Sequence, residues 1–181
     1  MSKRNFKIKK SEIVHKGFVF DLKVDEIEYD HTGNTGIREV ALHNGGAVVV
    51  PVKDDGKIVM ITQYRYPFDK FLLELPAGKL GKNEEPLHCA KRELTEETGY
   101  RSDNFTKLGE ICTTPGFCTE ILSIFLAKDL IRGEHDREEG EYGMEVFEFT
   151  LNEIEEKISK GEIYDSKTIC GIHYYSSLIN R

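Results

Sequence analysis

Residues 78–100 read GKLGKNEEPLHCAKRELTEETGY. Pro86 suits the first turn of a helix and Gly99 suits a helix stop, so a helix is expected over 86–98. Leu87, Ala90 and Leu94 give that helix an apolar stripe. Glu93 and Glu97 are four apart and share a face, Glu96 lies at its edge, and Glu84 precedes the helix. Like charges at this spacing destabilise a helix on their own, and a bound divalent cation reverses that sign. Hard cations such as Mg²⁺ take carboxylate and carbonyl oxygens and keep waters for substrate phosphates. Arg92 is four from Glu96 and can pair with it. Gly78 permits close approach of a ligand, and the Ala77 carbonyl beside it is a neutral oxygen ligand in reach of Glu93 and Glu97. On periodicity alone, a solvated acidic helix face is the competing account.

Around this segment the chain is rich in strands. Residues 13–29 alternate well enough for one or two strands, and HTGNTG (31–36) is a turn across which Ile37 to Leu42 can pair back as a hairpin. AVVVPV (47–52) and KIVMITQYRY (57–66) flank the turn KDDG and are expected to be central strands. FLLELPAG (71–78) forms a short strand ending in a tight loop. Strands are expected at 105–114, 120–130 and 144–150, and helices at 151–163 and 170–180. The fold class is therefore α+β, with residues 44–181 as the main domain and residues 1–43 as an N-terminal β subdomain.

The totals narrow the function. The chain has 181 residues, 39% of them hydrophobic, and a formal charge of −7. No basic stripe is present for nucleic-acid phosphates, and no window approaches a membrane span. The basic start MSKRNFKIKK lacks the apolar core of a signal peptide, so a cytoplasmic location is expected. Cys89, Cys112, Cys118 and Cys170 show no metal-ligand spacing and read as reduced, mostly buried thiols.

The segment resembles the Nudix box. Gly78, Glu84, Arg92, Glu93, Leu94, Glu96, Glu97, Gly99 and Tyr100 fill that family's pattern, with an aromatic at the last place. The resemblance implies an α/β/α sandwich with a mixed sheet, and metal-dependent hydrolysis of a diphosphate linked to another moiety. It makes Glu93, Glu97 and the Ala77 carbonyl ligands of Mg²⁺, or of Mn²⁺, with one to three ions. Glu96 becomes a ligand or a carboxylate behind the ligands, Arg92 the residue that orients the cluster, and Glu84 a support for the loop.

Four features outside the box resemble the ADP-ribose pyrophosphatase branch. They are Pro115 sixteen residues beyond Gly99, TQYRYP (62–67), YDSKTICGIHYY (164–175), and HKGFVFDLKVDEI with IREV in the N-terminal part. They imply cleavage of ADP-ribose to AMP and ribose 5-phosphate, with GDP-mannose or several nucleotide sugars as the alternative. They also imply a homodimer that exchanges its N-terminal sheet. In that scheme Arg65 grips phosphate with a five-donor fork, and Arg38 reaches substrate across the dimer. Phe18 stacks on adenine, with Phe20 the rival; Glu120 binds the ribose or adenine side, and Leu80 lines the pocket. The water-activating base is expected in DREEGEYGMEVFEF, where ungapped alignment offers Tyr142 and a one-residue slip offers Glu141. Tyrosine is a poor base near neutral pH, so Glu141 is favoured, then Glu139.

Overall fold

The computed structural model describes residues 4–134 and 143–180. The chain divides into two compact units. The first is Met1–Gly45 together with Cys112–Glu120, and the second is Gly46–Ile111 with Ile121–Arg181.

The first unit is an antiparallel sheet of β1 (Phe6–Lys16), β2 (Asp21–Tyr29) and β3 (Thr35–Leu42), in that order. The expected turn joins β2 to β3, with Gly33 at φ 70° and its N–H bonded to the Tyr29 carbonyl at 2.8 Å. β1 begins at Phe6, well before the strand expected from residue 13. Its residues are charged or exposed on both faces, so no alternation marks them. Cross-strand pairs such as Lys9–Glu28 (3.1 Å) support it instead. The segment Cys112–Glu120 joins this unit through Ala41, whose N–H donates to Phe117 and whose carbonyl accepts from Thr119.

The second unit is built on β4 (Gly46–Pro51), which is buried along its whole length. A strand covered on both faces reads as a continuous apolar run, which is why AVVVP has no polar alternation. β4 pairs in parallel with β10 (Ile121–Lys128) and antiparallel with β7 (Ala77–Lys79), in the order β7-β4-β10-β9, where β9 is Asn104–Cys112. β5 (Ile58–Arg65) is the centre of a second sheet, between β6 (Lys70–Glu74) and β12 (Glu145–Phe149). The short strands β8 (Tyr100–Arg101) and β11 (Ile131–Arg132) pair with each other.

Side-chain alternation sorts the core into two layers. Ala47, Val49, Phe125 and Ala127 pack with Cys89, Ala90 and Leu94 of helix α1 (Pro86–Thr98). Val48, Val50, Ile124 and Leu126 pack on the other side with Ile154 and Ile172. Those two belong to α2 (Leu151–Ser159) and α3 (Ser166–Ile179). The unit is therefore an α/β/α sandwich with a mixed sheet, and α1 packs on one face of β4 together with Val59 and Tyr100. Two helix boundaries differ from expectation. α2 ends at Ser159, short of the expected 163, and Gly161 follows at φ 73°. α3 starts at Ser166 because the Asp165 side chain caps it, accepting from Thr168 N–H at 3.0 Å.

Candidate active site

α1 begins at Pro86 and stops at Gly99, whose φ of 73° is left-handed. Its inner face is Cys89, Ala90, Glu93, Leu94, Glu97 and Thr98. Leu87, expected on the apolar stripe, is exposed, and Cys89 takes its place. The acidic residues are thus not a solvated face. Glu93 is 6% exposed and Glu97 1%.

Both carboxylates meet the segment between β6 and α1, where Ala77–Lys79 forms the short strand β7 in place of the expected tight loop. The Ala77 N–H donates to Glu97 Oε2 at 2.8 Å. Glu93 lies directly over Gly78, where a Cβ would sit 1.7 Å from its Oε1. Gly78 is therefore required for space, not for an unusual φ. Cys89 ties the same loop from below, its buried thiol within 3.5 Å of the Gly78 and Lys79 carbonyls. Burial pushes that thiol up to about 12, so it acts as a protonated donor.

Arg92 ties the cluster together. It reaches Glu84 through Nε (3.1 Å), and Glu93 (2.6 Å) and Glu96 (2.7 Å) through Nη1. Its Nη2 donates to the Lys79 carbonyl at 3.2 Å. Glu84 and the other carboxylates raise the Arg92 pKa further. The Arg92 guanidinium holds Glu84 down at about 2, helped by the Gly81 N–H at 2.7 Å. The expected pairing of Arg92 with Glu96 is present, and its contacts with Glu84 and Glu93 add to it.

The donor set suits a hard cation: two buried carboxylates, one of them drawn against the Gly78 backbone where a Cβ would displace it. Among the described residues, no three His, Cys, Asp or Glu side chains already converge as a closed ligand set. The glutamates are gathered around the Arg92 guanidinium, which supplies positive charge to them.

Arg65, at the end of β5, is fixed by a two-point grip on Glu74, Nε to Oε1 at 2.8 Å and Nη2 to Oε2 at 2.5 Å. Glu74 is 1% exposed and also takes Lys167, which pairs with Asp165 at 3.0 Å. Glu74 keeps Arg65 charged against the cost of its burial, and Glu97 adds to that field. Thr168 closes the network, accepting from Leu75 N–H at 2.9 Å and donating to Asp165 at 2.6 Å. It thereby links α3 to the loop carrying Ala77 and Gly78. Leu80 packs on the α1 side of the core.

Arg38, Phe18 and Glu120 belong to the first unit. Arg38 is exposed and donates to the Tyr29 hydroxyl at 2.5 Å. Phe18 is wholly exposed at the β1–β2 turn, so it plays no part in core packing there. Glu120 stands 3.3 Å from His43 Nδ1. Glu139 and Glu141, with Tyr142, lie outside the described residues. Cys89 alone of the four cysteines is fully buried, and Cys112 is exposed.

Glu74, Lys167, Asp165, Thr168 and Cys89 were not anticipated. Asp165, Lys167 and Thr168 lie in a segment read only as a resemblance. Glu74 sits in a run read only as a strand.

The site is thus an inward-facing acidic helix, clamped by an arginine to a glycine segment on an α/β/α sandwich. The NUDIX domain model matches residues 42–169, and the chain belongs to that family. Hydrolases of this family generally use divalent metal ions. The chain is 42% identical to the ADP-ribose pyrophosphatase of Bacillus subtilis (strain 168), over 90% of this chain and 88% of the relative. It is 40% identical to the methanol dehydrogenase activator of Bacillus methanolicus, over 91% of this chain and 89% of the relative. A solved ADP compounds hydrolase shares the fold with a TM-score of 0.87 at 18% identity, covering 99% of this chain and 97% of that one.

Proposed function

We propose that the protein hydrolyses the diphosphate of ADP-ribose, giving AMP and ribose 5-phosphate, with Mg²⁺ as its metal and Mn²⁺ as a substitute. The observation that carries the reading is the burial of Glu93 and Glu97 against the Ala77–Gly78 loop. The similarity to a pyrophosphatase named for ADP-ribose supports the choice of substrate.

Glu93, Glu97 and the Ala77 carbonyl hold one to three ions, with Glu96 as a further carboxylate. When bound, the metal neutralises phosphoryl charge and lowers the pKa of a coordinated water. Arg92 keeps Glu84, Glu93 and Glu96 gathered. Arg65, oriented by Glu74, binds the diphosphate. Glu141, with Glu139 as second choice, takes the proton of the attacking water. Leu80 shapes the pocket wall, and Glu120 binds on the ribose or adenine side.

The protein acts as a homodimer, in which Arg38 serves the partner's substrate and Phe18 stacks on adenine. Support comes from the exposed Val14, Phe18, Val19, Phe20 and Ile37 of the first unit. Residues 1–43 are the exchanged subdomain and 44–181 the catalytic domain. The unpaired cysteines fit the reducing cytoplasm, and no helix among the described residues is long and apolar enough to cross a membrane.

The test is a panel of ADP-ribose, GDP-mannose and other nucleotide sugars with Mg²⁺ or Mn²⁺, with product identification, on wild type and Glu97→Gln. ADP-ribose should give the highest kcat/KM, and Glu97→Gln should lower kcat by about 10²-fold or more with the fold intact. Higher kcat/KM on GDP-mannose would overturn the substrate. Near-normal turnover by Glu97→Gln would remove Glu97 from the metal shell.

A further inference from the structure

Gln63 lies on β5 two residues before Arg65. Alternate residues of a strand share a face, so Val59, Ile61, Gln63 and Arg65 form one row. Packing identifies what that row faces. Val59 belongs to the cluster containing Cys89, Ala90 and Leu94 of α1. At the other end Arg65 lies in the grip of Glu74, which stands opposite Ile61 in the β5–β6 register. The row therefore passes from apolar core to charged network at Gln63, on the side of the sheet that carries the acidic helix.

The Gln63 amide oxygen is buried and accepts no hydrogen bond, the one such side-chain atom among the described residues. Leaving a buried polar atom unpaired costs stability. The network that Arg65 joins is already paired within itself: Glu74 with Arg65 and Lys167, Asp165 with Lys167 and Thr168, Thr168 with Leu75. Leu72 is its register partner, so an apolar side chain would suit Gln63's place in the sheet. The amide oxygen of this half-buried residue gives the fold no hydrogen bond, and a buried acceptor without a partner has room for a ligand contact.

We propose that Gln63 is a further substrate-binding residue, whose carboxamide hydrogen-bonds the diphosphate of the substrate beside Arg65. A half-turn about the last side-chain bond exchanges Oε1 and Nε2, so the buried end can meet an acceptor as a donor. Next to a guanidinium that acceptor is a phosphoryl oxygen. The two residues are about 6.6 Å apart along the strand, close enough for their side chains to converge on one diphosphate. The inference rests on the reading of Arg65 as the diphosphate-binding residue.

Gln63→Met keeps the size and removes the hydrogen bond, and Gln63→Glu keeps the shape and adds a repelling charge. Three readouts are needed: Tm without ligand, KM and kcat for ADP-ribose, and the Kd of ADP by calorimetry without divalent ions. Gln63→Met should melt at or above the wild-type Tm, because an unpaired polar atom has gone. Its KM, and its Kd for ADP, should rise about tenfold, with kcat within about threefold. Gln63→Glu should raise both further. A lower Tm with unchanged KM and Kd would make Gln63 structural and overturn the proposal, as would a loss confined to kcat. If wild type fails to cleave ADP-ribose, the functional reading falls, and the ADP comparison still decides Gln63.

Discussion

Gly78→Ala separates the geometry of the site from the stability of the fold. The added methyl would sit 1.7 Å from Glu93 Oε1, whereas ordinary contact begins at 3.4 Å. The carboxylate must therefore move by about 1.7 Å. Its neighbour in the clash is the far end of a flexible side chain, and Gly78 has no left-handed φ to strain a substituted backbone. The fold should survive. The displaced carboxylate keeps Arg92 as a partner, so its charge stays compensated, but it no longer lies over the loop. A misplacement near 1 Å can cost about 10²-fold in rate. Gly78→Ala should accordingly lose about 10²-fold or more in kcat/KM, equivalent to about 2.7 kcal/mol of transition-state stabilisation. Its Tm should stay within a few degrees of wild type, and the metal concentration for half-maximal activity should rise. Gly81→Ala is the matched control. Its new methyl would stand 3.3 Å from Glu84, so the neighbour need shift only slightly and most activity should remain. Initial rates against metal concentration and a thermal melt on all three proteins make the comparison. Wild-type activity in Gly78→Ala would refute the placement of Glu93 over the loop. Collapse of the fold would refute the claim that the glycine serves the site and not the backbone.

Two further outcomes are expected. Glu84 has its pKa depressed to about 2 by Arg92, so its contribution to stability is full above its ordinary value near 4.5 and is lost as pH falls toward 2. The Tm gap between wild type and Glu84→Gln should therefore close between about pH 4.5 and 2; a gap independent of pH would refute the pairing. Thr168→Val keeps its shape but leaves the Leu75 N–H without its 2.9 Å acceptor inside the core. It should cost about 2 kcal/mol, or about 4–8 °C in Tm, and an unchanged melt would show that the loop is held by other means.

The parts of this fold legible in the sequence are those where one local rule dominates. β4 is a run of valines because both its faces are covered, and α1 is bracketed by Pro86 and Gly99. β1 follows the opposite logic. Its side chains are exposed on both faces, and cross-strand charge pairs that no single-strand pattern contains support it. α3 was expected to begin four residues late because its start is set by the Asp165 cap, a hydrogen bond and not a periodicity. Leu87 misled for a related reason. An apolar residue in the first turn fitted the expected stripe, but the surface that α1 covers runs through Cys89, Glu93 and Glu97.

The site divides along the same line. The glutamate spacing is a property of one helix, so it could be read directly. What those glutamates touch is not. The approach of Glu93 to Gly78 joins residues on two elements, and the grip of Lys167 on Glu74 spans 93 positions. Such contacts also determine what the carboxylates can do. Glu93 and Glu97 buried without compensation would favour protonation and would make poor ligands. Arg92 at the mouth and the Ala77 N–H at the base hold that charge in place before any cation arrives. The helix pattern shows which carboxylates share a face, but it is the Ala77–Gly78 segment and the arginine that fix where they point.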